Sequence, residues 1–189
     1  MSSSIRTIAA MASLLVFATG CTFVAPQYQA HVGNTLVLKE AALDKVSIGD
    51  VAKSPPKAKV EKISARGSGV KSPYGSYREY LREALEAEFD QAGLLDPKAN
   101  LVIEGMLLEN SLSAAGLSRN HGDISAELTI KRDSAVVWKG TKSCRHEWDS
   151  TLLGAVAIPR AVENYGILWR LLIGEFLKDP GFMAALKKR

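Results

Sequence analysis

The stretch SYREYLREALEAEFDQA, from Ser76 to Ala92, predicts the clearest helix of the chain. Its apolar residues recur three and four positions apart, as on one face of a helix, and Glu88 is the polar exception on that face. The spacing Ser76-x-x-Glu79 is that of a capping box, and Gly93 is well placed to end the helix. An amphipathic helix must bury its apolar face against another layer, so we expect a sheet beneath it.

The segments on either side of this helix have the composition of strands. Asp123–Lys131 alternates apolar and polar residues, as a strand with one buried face does, and Asn100–Asn110 is apolar nearly throughout, as a central strand would be. Pro159 predicts the start of a second long helix that runs to about Leu177. The remaining candidate strands are Thr35–Glu40, Lys45–Val51, a short edge strand near Val60–Ala65, and Ala135–Asp149.

The order of strand, strand, helix, three strands and helix predicts the fold class. We expect an α/β (α+β) two-layer sandwich, in which a mixed, mainly antiparallel sheet of four to five strands carries two long helices on one face. A hydrophobic content of 47% and a charged content of 23% are ordinary for a globular domain. A formal net charge of +4 is mild, so it gives no reason to expect a nucleic-acid partner.

The N-terminus has the order of a secretory signal. A basic residue, Arg6, precedes the uncharged stretch Thr7–Phe17, and small residues from Ala18 lead up to Cys21. The uncharged stretch is about 11 residues long, whereas a membrane-spanning helix needs about 20. We therefore predict a signal peptide over residues 1–20, a lipidated cysteine with its tether over 21–34, and a single domain over 35–189.

The motif Ala18-Thr19-Gly20-Cys21 resembles the bacterial lipobox, although a lipobox usually has Leu where this chain has Ala18. The resemblance implies cleavage before Cys21, and it implies no cofactor apart from covalent diacylglycerol and an N-acyl chain on that residue. Ordinary secretion with cleavage at the same bond is the alternative. Lipidation would leave Cys144 as a lone thiol, whereas ordinary secretion would allow it to pair with Cys21.

Five segments together resemble small Gram-negative lipoproteins, namely the YajG-like family and the auxiliary lipoproteins of lipid-transport ABC systems. The segments are ATGC, YREYLREALEAEFDQAGLL, NLVIEGMLLE, ISAELTIKRDSAVVWKGTKS and VENYGILWRLLIGEFLKD. The resemblance implies a periplasm-facing domain that is held at a membrane and works through protein or lipid contacts. Thr22, rather than Asp, follows the cysteine, which by the enteric sorting rule favours the outer membrane over the inner membrane.

A lysine-rich segment is the one candidate contact with an anionic surface. Lys53, Lys57, Lys59 and Lys62 could meet lipid or lipopolysaccharide phosphates. The alternative is an ordinary solvated loop.

The sequence gives no clear sign of catalysis or of a metal site. On a strand, His146 points away from Glu147 and Asp149, so the three cannot converge on one ion. Cys144 lies between tryptophans on the predicted buried face, where a thiol is inert. We therefore expect a non-enzymatic binding or assembly module with an envelope protein or lipid as partner. A lipid-binding auxiliary subunit and a periplasmic enzyme of unrecognised type are the alternatives, and the oligomeric state is open.

Overall fold

The computed structural model describes residues 22–188, which form two sheets and four helices. The strands are β1 (Thr22–Val24), β2 (Ser47–Ala52), β3 (Ile63–Ala65), β4 (Ser68–Lys71), β5 (Leu101–Ser113), β6 (Arg119–Arg132) and β7 (Ala135–Asp149). The helices are α1 (Val32–Glu40), α2 (Tyr77–Gln91), α3 (Gly154–Leu177) and α4 (Pro180–Leu186).

The main sheet has the strand order β2-β5-β6-β7. β2 is parallel to β5, whereas β5, β6 and β7 form an antiparallel meander. Its outer face carries cross-strand ion pairs, with Lys131 Nζ 2.7 Å from Glu104 Oε2 and Lys139 Nζ 2.9 Å from Glu127 Oε1. The sheet is therefore dry on one face and solvated on the other, as its alternation predicts.

The two long helices cover the dry face, and two glycines let them approach closely. A Cβ at Gly105 would lie 3.2 Å from the side chains of Leu81 in α2 and Leu128 in β6. A Cβ at Gly122 would lie 2.9 Å from the side chain of Leu168 in α3. The predicted α+β sandwich with two long helices on one face of a mixed sheet is confirmed.

Helix α2 is capped by residues before and within its first turn. Ser76 Oγ accepts from the Glu79 amide at 3.1 Å, while the Glu79 carboxylate pairs with Arg82 at 2.8 Å instead of returning to Ser76. The Glu61 carboxylate accepts from the Tyr77 amide at 2.8 Å and so satisfies another free amide at the start of the helix. Gly93 follows the helix with a φ of +72°, a conformation that glycine adopts without strain.

Two expectations for the N-terminal third are wrong. The predicted strand Thr35–Glu40 is the second half of α1, since a short apolar run fits a helix as well as a strand. The predicted tether over residues 22–34 is not free coil, because it contains β1 and the start of α1. Ala25 and Tyr28 in this segment are 2% and 8% exposed, so it belongs to the packed domain.

Two other boundaries also differ from the prediction. The edge strand expected near Val60–Ala65 is β3, but it joins a separate sheet of order β1-β4-β3, with β1 parallel to β4. Helix α3 begins at Gly154, so Pro159 lies inside the helix rather than at its start. A proline near a helix start removes only one backbone donor, and no helix-breaking residue lies between Gly154 and Pro159.

Candidate functional site: an apolar groove next to the cysteine motif

Glu88, the polar exception on α2, fixes the N-terminal segment to the domain. This residue is fully buried, and its Oε1 accepts three hydrogen bonds. The donors are the Tyr28 hydroxyl at 2.5 Å, the His31 amide at 3.0 Å and Asn34 Nδ2 at 3.0 Å. One carboxylate oxygen therefore fixes the position of both the turn before α1 and the first turn of α1.

Aromatic side chains hold the rest of this segment. The Tyr80 hydroxyl donates to the Pro26 carbonyl at 2.9 Å, and the Tyr74 hydroxyl accepts from the Tyr28 amide at 2.9 Å. The ring of Tyr80 packs on Trp169 of α3, with centroids 4.6 Å apart. Burial and the neighbouring Glu88 raise the pKa of Tyr28, which keeps its hydroxyl protonated and able to donate.

A groove of about 580 Å³ lies between this segment and the first half of α3. Tyr80, which is otherwise fully buried, lies at its base. The walls come from the two elements on either side: Phe23, Val24, Pro26, Gln27, Tyr28 and Gln29 on one side, and Pro159, Val162, Glu163, Gly166, Ile167 and Arg170 on the other. Most of these side chains are apolar, which is typical of a site for an apolar ligand or segment.

Arg170 is the cation of the groove. Its Nε donates to the Gln29 carbonyl at 3.2 Å, and its own backbone carbonyl accepts from Asn34 Nδ2 at 3.1 Å. A second depression of about 410 Å³ continues on the far side of Arg170, between His31 and Leu171. The half-buried guanidinium therefore stands between two apolar depressions on the same side of α3.

The four predicted contact lysines are all exposed and lie in the loop between β2 and β3. Lys57, Lys59 and Lys62 line one shallow depression against residues 108–112 of β5, whereas Lys53 does not line it. The structure thus brings three of the four together, at the end of β5 that leads into the next loop.

Cys21 lies outside the described residues, and so does the whole predicted signal peptide. Cys144 is half-buried and has no disulfide partner within residues 22–188, and its Sγ lies 3.5 Å from the Leu168 carbonyl. Burial raises the pKa of Cys144 to about 12, with Glu175 and Asp123 adding to the effect. Nothing in the described residues tests a disulfide between Cys144 and Cys21, so the two alternatives for Cys144 stay predictions.

Two histidines on β6 and β7 have polar side chains as partners. His146 hydrogen-bonds Asn164 Oδ1 at 2.8 Å, and His121 lies 3.5 Å from Asp123. Within residues 22–188, no group of three His, Cys, Asp or Glu side chains could hold a metal ion. In the same part of the chain, no helix is long and apolar enough to cross a membrane.

The sequence did not predict the groove. Its α3 wall uses Val162 and Ile167, which are interleaved with the residues that face the core, and its other wall was expected to be a free tether. Glu88 was the available signal, because a carboxylate on the apolar face of a helix must find hydrogen-bond donors when it is buried. Two leucines of α3 near the groove differ in exposure: Leu168 is fully buried, whereas Leu171 is 40% exposed.

The sequence matches none of the protein-family models and none of the curated proteins. Among solved structures, a Xanthomonas campestris protein of family DUF330 is similar at a TM-score of 0.52 and 13% identity, over 84% of this chain and 95% of that one. A Caulobacter crescentus protein, provisionally named a lipoprotein, gives 0.47 and 14% identity over 82% and 96%. A minor lipoprotein from Acinetobacter baumannii gives 0.43 and 12% identity over 78% and 98%.

The likeness to the Xanthomonas protein shows a shared fold. At 13% identity it does not extend to function. Membership of the YajG-like family or of the ABC-transport auxiliary lipoproteins stays a prediction.

Proposed function

We propose that this chain is a lipid-anchored lipoprotein of the bacterial envelope whose domain is a non-enzymatic binding module. The observation that carries the proposal is the position of the packed domain relative to the cysteine motif. β1 begins at Thr22, directly behind Cys21, and Ala25 is already buried. A mature chain that starts at Cys21 would therefore keep the whole described domain and lose only the signal peptide.

We further propose that the protein lies on the periplasmic face of the outer membrane. Support comes from the residue after the cysteine, which is Thr22 rather than the Asp that retains enteric lipoproteins at the inner membrane. The domain would then face the periplasm with its groove open to an envelope partner.

Substitution of Cys21 tests the anchor. In Cys21→Ser the thiol that would carry diacylglycerol is lost, so the protein is expected to leave the membrane fraction of the host envelope. Cys144→Ser is the matched control and is expected to stay in the outer-membrane fraction of a density gradient. Membrane association of Cys21→Ser equal to that of the control would contradict the proposal.

The groove favours a second, more specific candidate, in which the module binds a lipid. An apolar groove with one half-buried guanidinium suits an acyl chain that ends in a carboxylate or phosphate. The walls supply the apolar contact, and Arg170 would pair with the acidic head group. This role corresponds to the lipid-binding auxiliary subunit that the sequence left as an alternative.

A fluorescent fatty acid tests this second candidate. In a chain with Cys21→Ser, which lacks its own acyl chains, binding is expected to weaken about tenfold when Ile167→Asp places a charge in the groove wall. Val136→Asp is the control, since Val136 is 59% exposed and does not line the groove. Equal binding of the fatty acid by the two variants, or no binding by the parent chain, would contradict lipid binding in the groove. The envelope partner would then be a protein.

A further inference from the structure

One arginine joins three loops at one end of the domain. Arg66 lies in the turn between β3 and β4, and its guanidinium donates four hydrogen bonds to backbone carbonyls of two other loops. The acceptors are Ala114 at 2.9 Å and Gly116 at 3.1 Å in the β5–β6 loop, and Thr151 at 2.6 Å and Leu152 at 2.8 Å in the β7–α3 loop. Such charge-assisted bonds hold the loops in a fixed arrangement.

The two loops are also joined to each other. The Ser150 amide donates to the Ser118 carbonyl at 2.8 Å, and Asn120 Nδ2 donates to Ser150 Oγ at 2.8 Å. At Gly116 a Cβ would lie 1.9 Å from the Arg119 carbonyl oxygen, so the tight turn there requires glycine. The end of the domain is therefore one ordered surface rather than a set of independent loops.

Large apolar side chains project from this surface. Leu117 is 64% exposed, Leu152 is 70% exposed and Leu153 is 67% exposed, and Val156 in the first turn of α3 is 44% exposed. These four residues are called the leucine patch below. Exposed apolar residues that cluster on ordered loops mark a contact site rather than ordinary surface.

The chain enters the domain at this same end. β1 runs parallel to β4 with Thr22 opposite Gly69, so the first residue of β1 lies at the end of β4 that follows the turn with Arg66. Gly69 and Arg66 are three positions apart in the chain, which is at most about 10 Å. Thr22, the first described residue, therefore lies at the same end of the domain as the leucine patch, and Cys21 directly precedes it in the sequence.

Cations lie farther along the strand that leads to the patch. Lys57, Lys59 and Lys62 lie against residues 108–112 of β5, and β5 continues directly into the loop that carries Leu117. Apolar tips flanked by lysines have the composition of surfaces that insert between lipid head groups and meet their phosphates.

We propose that this end of the domain rests in the bilayer surface, with the leucine patch between the lipid head groups and the lysines at the phosphates. The proposal depends on the lipid anchor proposed above. With β1 starting directly after Cys21, an acylated cysteine would hold the patch within reach of lipid, at a high effective concentration. Stable attachment commonly combines an acyl anchor with a second membrane contact, and the patch supplies that contact.

Lipid-borne quenching tests this orientation. The mature, acylated protein is placed in vesicles of phosphatidylethanolamine and phosphatidylglycerol that contain a spin-labelled quencher lipid. In a Cys144→Ser background, an environment-sensitive fluorophore is attached at Leu117→Cys or Leu152→Cys, with Val136→Cys as control. Fluorescence at residues 117 and 152 is expected to shift to the blue and to fall about twofold, with no change at residue 136.

Equal, water-like emission at all three positions would overturn the proposal. Shielding of residues 117 and 152 only when other envelope proteins are present would also overturn it, in favour of a protein partner. The mass of the N-terminal peptide, measured before reconstitution, separates these results from a failure of the anchor itself, because an unacylated chain would contradict both proposals.

Discussion

At the scale of single residues, Glu88 determines where the N-terminal segment lies. Its Oε1 accepts from three donors in residues 28–34, while Oε2 is buried and has no hydrogen-bond partner among the described residues. The Tyr74 and Tyr80 hydroxyls also hold this segment, whose own strand β1 has only three residues. The groove exists because this carboxylate holds the segment that forms one of its walls.

Replacement of Glu88 by alanine is expected to destabilise the domain by about 3 kcal/mol, since it leaves buried donors without an acceptor. For a domain of this size the melting temperature would fall by roughly 6–12 °C. Glu88→Gln keeps one accepting oxygen and is expected to cost about half as much. Thermal unfolding followed by circular dichroism measures both, and equal stability of Glu88→Ala and the parent would refute the role of this carboxylate.

Burial also makes the domain sensitive to alkali. It raises the pKa of Tyr28, Tyr77, Tyr80 and Tyr165 above the ordinary 10.0, and raises that of Cys144 from 9.0 to about 12. Above about pH 9 the unfolded chain releases these protons while the folded chain keeps them, so folding stability falls as the pH rises. The urea midpoint is expected to be lower at about pH 10.5 than at about pH 8, and an unchanged midpoint would contradict these shifts.

At the scale of elements, the Arg66 turn organises the end of the domain that carries the leucine patch. Arg66→Ala is expected to speed amide hydrogen exchange in residues 114–119 and 150–153 and to cost about 1–3 kcal/mol of stability. Arg145→Ala is the matched control, because Arg145 makes only exposed ion pairs and is expected to cost less than about 0.5 kcal/mol. Unchanged exchange in both loops of Arg66→Ala would show that the arginine does not hold them.

The lysine loop gives a prediction of its own. Neutralising Lys53, Lys57, Lys59 and Lys62 to glutamine is expected to weaken binding of the unacylated domain to anionic vesicles at low salt, since each cation near such a surface contributes about 1 kcal/mol. The control neutralises four exposed lysines at the other end of the domain: Lys98, Lys139, Lys187 and Lys188. Sedimentation with vesicles measures the effect. Equal loss in both variants would mean that net charge alone is responsible.

The sequence predicted those elements whose periodicity is long enough to be unambiguous. Helix α2, its glycine stop, and strands β6 and β7 lie close to their expected positions. It failed at Thr35–Glu40 and in residues 22–34, where runs of a few residues are stabilised by contacts with residues more than 50 positions away. The groove could not be predicted for the same reason, because one of its walls depends on those long-range hydrogen bonds.

At the scale of the whole molecule, the absence of a tether between the cysteine motif and β1 changes how the protein would sit at a membrane. A free segment of 13 residues would let the domain move about 20 Å from the bilayer. With the segment packed through Tyr28 and Ala25, an anchor on Cys21 would be joined directly to the domain with no free segment between them. The leucine patch would then face the lipid while the groove along α3 remains beside the membrane.

The most direct test of the whole account is the mass of the mature N-terminal peptide, released by protease from protein extracted from the membrane fraction. The account predicts a chain that begins at Cys21 and carries the added mass of diacylglycerol and one amide-linked acyl chain, with Cys144 as a free thiol. A peptide that begins at Cys21 without acyl mass, or one joined to Cys144 by a disulfide, would contradict the lipid anchor and the membrane orientation that depends on it.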